Sequence, residues 1–135
     1  MPQPSFLAAS LLVTLGGGLG AWLRFLVGRA WIAAIGPIRA SAFPWSTLSV
    51  NVIGSLAMGL LVGWLARFGA HGEGTRLFLA VGVLGGFTTF SSFSMEIVSI
   101  AERGQIGLAA LYIAITVLAG VLGLVAGLAL MRSVA

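Results

Sequence analysis

The chain predicts an all-α integral membrane protein of four transmembrane helices, the third broken mid-span, assembling as an antiparallel dual-topology homodimer. Three observations carry this. Mean hydropathy is +1.13 with only 7% charged residues, whereas soluble domains carry about 25%. Four apolar segments, Ser5 to Val27, Pro44 to Ala66, Leu77 to Ile100 and Ile106 to Met131, are each long enough to cross a bilayer, which takes roughly 20 residues at about 1.5 Å each. Seven arginines, with no lysine, divide almost evenly between the two faces that these segments define. Residues 1–135 therefore form a single four-helix domain. The dyad alternation of barrel strands is absent.

The first segment does not read as a cleaved secretory signal, because its first basic residue, Arg24, lies at its far end rather than before it. Gly16, Gly20 and Arg24 share one helical stripe, and Gly17 and Ala21 form the neighbouring one. Small residues at that spacing let membrane helices approach closely. The connection over 28–43, containing Trp31, Gly36 and Pro37, has room for a short surface helix.

In the second segment Pro44 stands near the first turn, where a missing N–H is harmless. Asn51, Gly54 and Met58 follow on one face, and Gly59 and Gly63 lie further along. An amide at membrane depth must find a partner or a wet cavity. The 67–76 loop reads as solvent exposed, with His71 an ordinary loop histidine.

The third segment carries Gly85-Gly86-Phe87-Thr88-Thr89-Phe90-Ser91-Ser92-Phe93-Ser94. Each mid-span glycine lowers helix propensity by about 1 kcal/mol, and the hydroxyls that follow can satisfy backbone groups released by a break. Freed carbonyls at such a break can coordinate a hard cation such as sodium. Beyond it, Phe90 and Phe93 share a face, Ser91 and Ser94 the next, and Ser92 and Glu96 a third. Rings presented edge-on are electropositive, and with hydroxyl and amide donors they can replace the hydration of a small anion. A fixed arginine deep in such a route would hold the ion too tightly for release. Arg24 is placed near a mouth.

In the fourth segment Tyr112, Thr116, Gly120, Gly123 and Gly127 make one continuous face. Its glycine half suits packing. Tyr112 and Thr116 are candidates for a lining surface, with an interfacial aromatic belt the competing reading of Tyr112.

Topology follows from the arginines. Arg67, Arg76 and Arg132 fall on one side; Arg29, Arg39 and Arg103 fall on the other, with Arg24 nearby. Cytoplasmic loops normally carry the excess, so a balanced chain is expected to insert both ways round, the alternative being a single orientation fixed by one of these charges. Two inverted copies would reproduce by assembly the inverted repeats of larger transporters. The basic pI, near 11.6, points in so apolar a chain to lipid interfaces or an anion, and not to nucleic acid. Without cysteine there is neither disulfide nor thiolate metal site.

The run from Gly85 to Phe93 closely resembles the GGxTTFSTF signature of the Fluc-type (CrcB) fluoride channels. Gly20-Ala21-Trp22-Leu23-Arg24-Phe25 is similar to that family's GAxxRY/F element, and Trp45 through Gly54 to its W-G-T-L-x-x-N-x-x-G element. The resemblance implies a dual-topology homodimer in the plasma membrane, passing fluoride passively through two pores around a buried structural sodium ion. By the same resemblance, the carbonyls of Gly85 and Thr88 from both subunits would hold sodium. Phe90, Phe93, Asn51, Ser91, Ser92, Ser94, Tyr112 and Thr116 would line the ion pathway, with Arg24 in the vestibule and Glu96 near the pore end. Ser92 stands where Thr is usual, Ser46 where Gly is common, and Phe25 where Tyr is frequent. The last change puts in doubt any role of that tyrosine oxygen.

Two other classes compete. A small multidrug-type proton-coupled exporter needs an embedded carboxylate in its first helix, and the first segment has none. A non-transporting subunit would leave the aromatic and hydroxyl cluster without purpose. No constellation for an enzyme is present.

Overall fold

The computed structural model describes residues 3–68 and 72–133; His71 lies outside them. The described residues form helices α1 (Phe6–Ile35), α2 (Pro37–Ala42), α3 (Trp45–Phe68), α4 (Glu73–Thr75), a π-helical segment (Arg76–Leu84), α5 (Gly85–Phe87), α6 (Phe90–Glu102) and α7 (Ile106–Ser133). Four helical stretches are long and apolar enough to cross a membrane: Phe6–Ile35, Trp45–Arg67, Glu73–Glu102 and Ile106–Ser133.

Local chemistry sets most of the ends. Ser5 caps α1, its hydroxyl accepting from the Ala8 amide at 3.3 Å. Gly36, at φ 81°, closes α1 and opens α2, a backbone conformation that a side chain would strain. The Pro44 carbonyl accepts the Leu48 amide at 3.1 Å as α3 begins. Gly104, at φ 77°, turns α6 into α7. The first helix thus runs eight residues beyond the expected Val27, and the surface helix of the connection is the short α2. Helical winding continues because 29–35 holds neither glycine nor proline before Gly36.

Helix pairing decides where polar groups meet. α1 packs along the π segment and α5, while α3 packs along α7. Beyond α5 the chain changes partner, and α6 lies against α7. Glycines permit the closest of these contacts. A Cβ on Gly20 would collide with the Val83 carbonyl, and one on Gly86 with the Gly17 carbonyl. On the other pair, Gly59 meets the Leu124 carbonyl and Gly127 the Leu56 carbonyl in the same way, so the glycine half of α7 is a packing face. In the π segment each turn is one residue wider than in an α-helix, and the Gly85 amide reaches back five residues to Ala80. A regular helix expected there is replaced where Gly82 rests on Gly16.

The buried core is small and off-centre, formed by Phe93, Ile100, Ala109 and Tyr112 with Phe43, Leu48 and Ile97 packed on it. Large apolar side chains elsewhere face outward, Phe6, Leu118 and Leu122 among them, as helices solvated by lipid require.

Candidate functional site

Helical geometry stops at Phe87. Thr88 (φ −80°, ψ 159°) and Thr89 (φ −151°, ψ 120°) are extended, and α6 begins at Phe90. Thr88 closes the preceding turn twice, its amide and its hydroxyl both donating to the Leu84 carbonyl, at 3.0 and 2.9 Å. Thr89 opens the next, its hydroxyl oxygen accepting the Ser92 amide at 3.2 Å.

Asn51 joins the two. Its Oδ1 accepts the Thr89 amide at 2.8 Å, and its Nδ2 donates to the Thr89 carbonyl at 3.1 Å. One side-chain amide therefore satisfies both backbone groups of the extended residue, as a neighbouring strand would. One turn along α3, Gly54 leaves the space that the Thr88 methyl occupies, and a Cβ there would collide with it. Arg24 also arrives here: Nη1 donates to the Thr88 carbonyl at 3.4 Å. With α1 continuing to Ile35, this arginine lies well inside the helix and reaches the break.

The break alters two carbonyls. The amide that would close a helical turn on the Gly85 carbonyl belongs to Thr89, and it is taken by Asn51. The amide that would serve Thr88 belongs to Ser92, and it is taken by the Thr89 hydroxyl. Both carbonyls are hard oxygen donors of the kind that sodium accepts.

Past the break, Phe90 and Phe93 have centroids 6.0 Å apart and planes tilted by 51°. Phe93 is buried and meets Tyr112 edge-on at 5.1 Å. Phe90 is 79% exposed. Ser91 faces outward within 3.3 Å of the Thr89 hydroxyl. Ser92 accepts from the same hydroxyl at 3.2 Å. Ser94 donates back to the Phe90 carbonyl at 3.0 Å, which occupies its only donor.

Glu96 organises the second cluster. Its carboxylate accepts from the Thr47 hydroxyl and from the Tyr112 hydroxyl, each at 2.7 Å. Tyr112 is fully buried, which rules out an interfacial belt. Thr116, one turn further along α7, is buried with its hydroxyl unpartnered among the described residues. An open groove of about 270 Å³ brings Glu96, Ser99, Ser41 and Arg103 together. A second, also about 270 Å³, runs along the break past Asn51, Gly54, Thr88, Thr89 and Phe90.

Sequence reasoning missed Thr47 and undervalued Thr89. Thr47 stands one helical turn before Asn51, a spacing that could have found it. Thr89 differs from Thr88 only in what lies across from it, and no local signal separates the two.

Known proteins resemble the chain over most of its length. The family described as CrcB-like protein, Camphor Resistance (CrcB), matches residues 11–128. The chain belongs to the CrcB family. A CrcB relative from Novosphingobium aromaticivorans, named fluoride-specific ion channel FluC, is 57% identical over 129 residues, covering 96% of this chain and 100% of its own length. A protein of the same name from Sphingopyxis alaskensis is 57% identical over 120 residues, 89% of this chain and 92% of its own. Another from Rhodospirillum centenum is 51% identical over 123 residues, 91% and 94% respectively. The break, Asn51 and Glu96 all fall inside the matched CrcB region.

Proposed function

We propose that this protein is a fluoride-selective passive channel of the plasma membrane, working as an antiparallel homodimer with two pores and a structural sodium ion. The observation that carries the reading is the 57% identity, over essentially the whole of both chains, to a protein named as a fluoride-specific channel. The helix break gives it physical sense.

Dimerisation is supported by what the single chain leaves uncovered. Interrupted backbone at membrane depth is tolerated only against protein or water, yet Gly85 is exposed and the groove along the break is open. A second copy would cover both. The even division of arginines favours an inverted one. The carbonyls of Gly85 and Thr88 are hard oxygen donors of the kind sodium takes, the Thr88 oxygen keeping a lone pair beyond the 3.4 Å bond from Arg24, and two chains would supply four oxygens where one supplies two. Bound sodium would contribute a fixed positive charge that holds the two breaks together.

Along the pathway, Phe90 and Phe93 offer ring edges, and Ser91, Ser92 and the Asn51 amide offer donors. These groups are weak singly, so an anion that loses water finds replacement without a trap. Ser94 contributes its oxygen only. Glu96 keeps Tyr112 and Thr47 in fixed positions beside Thr116, whose hydroxyl can still donate. Movement of an ion, not bond chemistry, is the activity. The exporter alternative has no support from α1, which contains no carboxylate.

Liposomes holding the purified protein test this directly: fluoride should leave down its own gradient, chloride should not, and no proton gradient should be needed. Equal release of the two halides would refute the reading. Adding two lysines to the 67–76 loop should force one orientation and sharply reduce flux; undiminished flux would count against antiparallel pairing.

A further inference from the structure

Each end of α6 opens on a groove. One passes Thr88, Thr89 and Phe90 where the helix begins, and the other reaches Glu96, Ser99 and Arg103 where it ends. Between them Ser92, Glu96, Ser99 and, at the C-cap, Arg103 follow at spacings of four, three and four, the one stripe of this helix that is polar along its whole length. Helical register holds to the last of these, since the Arg103 amide still bonds the Ser99 carbonyl at 3.3 Å.

The second groove changes character along its length. Glu96 is half-buried, its oxygens taken by the Thr47 and Tyr112 hydroxyls. The Ser41 hydroxyl donates to the Ile38 carbonyl at 2.9 Å and so offers the groove only its oxygen. Ser99 and Arg103 are exposed, and the Arg103 guanidinium has no hydrogen bond or ion pair among the described residues. The segments around it, 37–45 and 96–108, all belong to those residues. Glu102 precedes it in sequence but falls on a different face and does not line the groove.

An anion that approaches Glu96 from this side is repelled unless a positive charge stands ahead of the carboxylate. Arg103 stands there in water, where a unit charge met at about 5 Å raises the local anion concentration by only about fourfold. That is enough to gather an ion and too little to hold it. Building on the channel reading, we propose that this groove is the mouth by which fluoride passes between water and the Glu96 end of the pathway, and that Arg103 gathers fluoride at its entrance.

The competing account is that Arg103 serves only the carbonyl end of its own helix, which makes no link between its charge and flux. The chain has no cysteine, so Arg103→Cys places a single thiol at the groove. Purified Arg103→Cys protein is left unreacted, or treated in detergent with a methanethiosulfonate carrying either trimethylammonium or sulfonate, and then reconstituted for fluoride efflux. At about 10 mM ionic strength, where the screening length is about 30 Å, unreacted Arg103→Cys should pass fluoride about two- to fourfold more slowly than the unsubstituted protein. The trimethylammonium reagent should restore the rate and the sulfonate should lower it further. In about 1 M potassium gluconate, where that length is about 3 Å, all three forms should match the unsubstituted protein. Ser99→Trp, which fills the groove, should block efflux from a protein that still purifies as a single species, and Arg132→Gln, at the far end of α7, should change nothing. The charge is attached after folding, so recovery of the rate cannot come from a structural role. Efflux indifferent to the attached charge, a difference that persists at high salt, or normal efflux through Ser99→Trp would each overturn the proposal and leave the fluoride reading standing. An unsubstituted protein that passes no fluoride would overturn both.

Discussion

Before Thr88 the third span lies backbone to backbone against α1, and after Thr89 it stands off behind side chains and packs on α7. In the first half Gly82 touches Gly16 and Gly86 touches Gly17, so no side chain intervenes and there is no rotamer to adjust. In the second half Phe93, Glu96 and Ile100 meet Tyr112 and Ala109 through side chains, with ring edges and a hydroxyl bond between them. The contrast separates two tasks. Close glycine packing fixes where the break must fall, and beyond it side chains gather around Glu96.

Substitutions on either side should fail in different ways. The largest effect is expected in the frame. Gly20→Leu drives a side chain into the Val83 carbonyl and should exceed the roughly 1–3 kcal/mol of ordinary overpacking, abolishing monodisperse protein in detergent. Gly18→Leu, which meets open space, should be tolerated; equal damage at both positions would dissolve the distinction.

Phe90→Ile comes next and should strike function alone. The protein should remain folded while fluoride efflux falls by about a hundredfold or more, equivalent to roughly 2.7 kcal/mol in the rate-limiting step. Normal efflux would remove ring edges from the account.

Asn51→Leu acts at the junction of the two halves. It leaves the Thr89 N–H and C=O without partners, a cost of about 1–3 kcal/mol for each buried group. Chemical denaturation should report that loss, and Asn51→Asp, which keeps the acceptor, should recover part of it. If Leu and Asp variants are equally stable, the amide is not the clamp described above.

Tyr112→Phe should be mildest. It removes one donor to Glu96 while Thr47 remains, so stability should fall by about 1 kcal/mol and efflux should persist at a reduced rate. Unchanged stability would mean that the hydroxyl contributes nothing net.

Much of this was legible from residue order. The four spans, the glycine faces and the residues gathered beside the break follow from hydropathy and helical spacing. The apolar first segment ends near Val27 while its helix runs on to Ile35: apolar composition marks where lipid begins, not where a helix stops. Asn51 was recognisable as an amide that needed a partner, but the partner is backbone 38 residues away, which no spacing rule reaches. Glu96 likewise showed its polarity and not its company, since Thr47 and Tyr112 converge on it from α3 and α7.

By itself the sequence determined that this chain crosses a membrane four times and concentrates glycine, hydroxyl and phenyl groups at one depth. Those properties are carried by consecutive residues, and the low dielectric of lipid acts on them locally. Only the tertiary structure decided that the third span changes partner at Thr88, that Arg24 reaches the break, and that one carboxylate holds two hydroxyls. Each of these depends on helices distant in sequence approaching to hydrogen-bond distance, which is set by the glycine contacts between them.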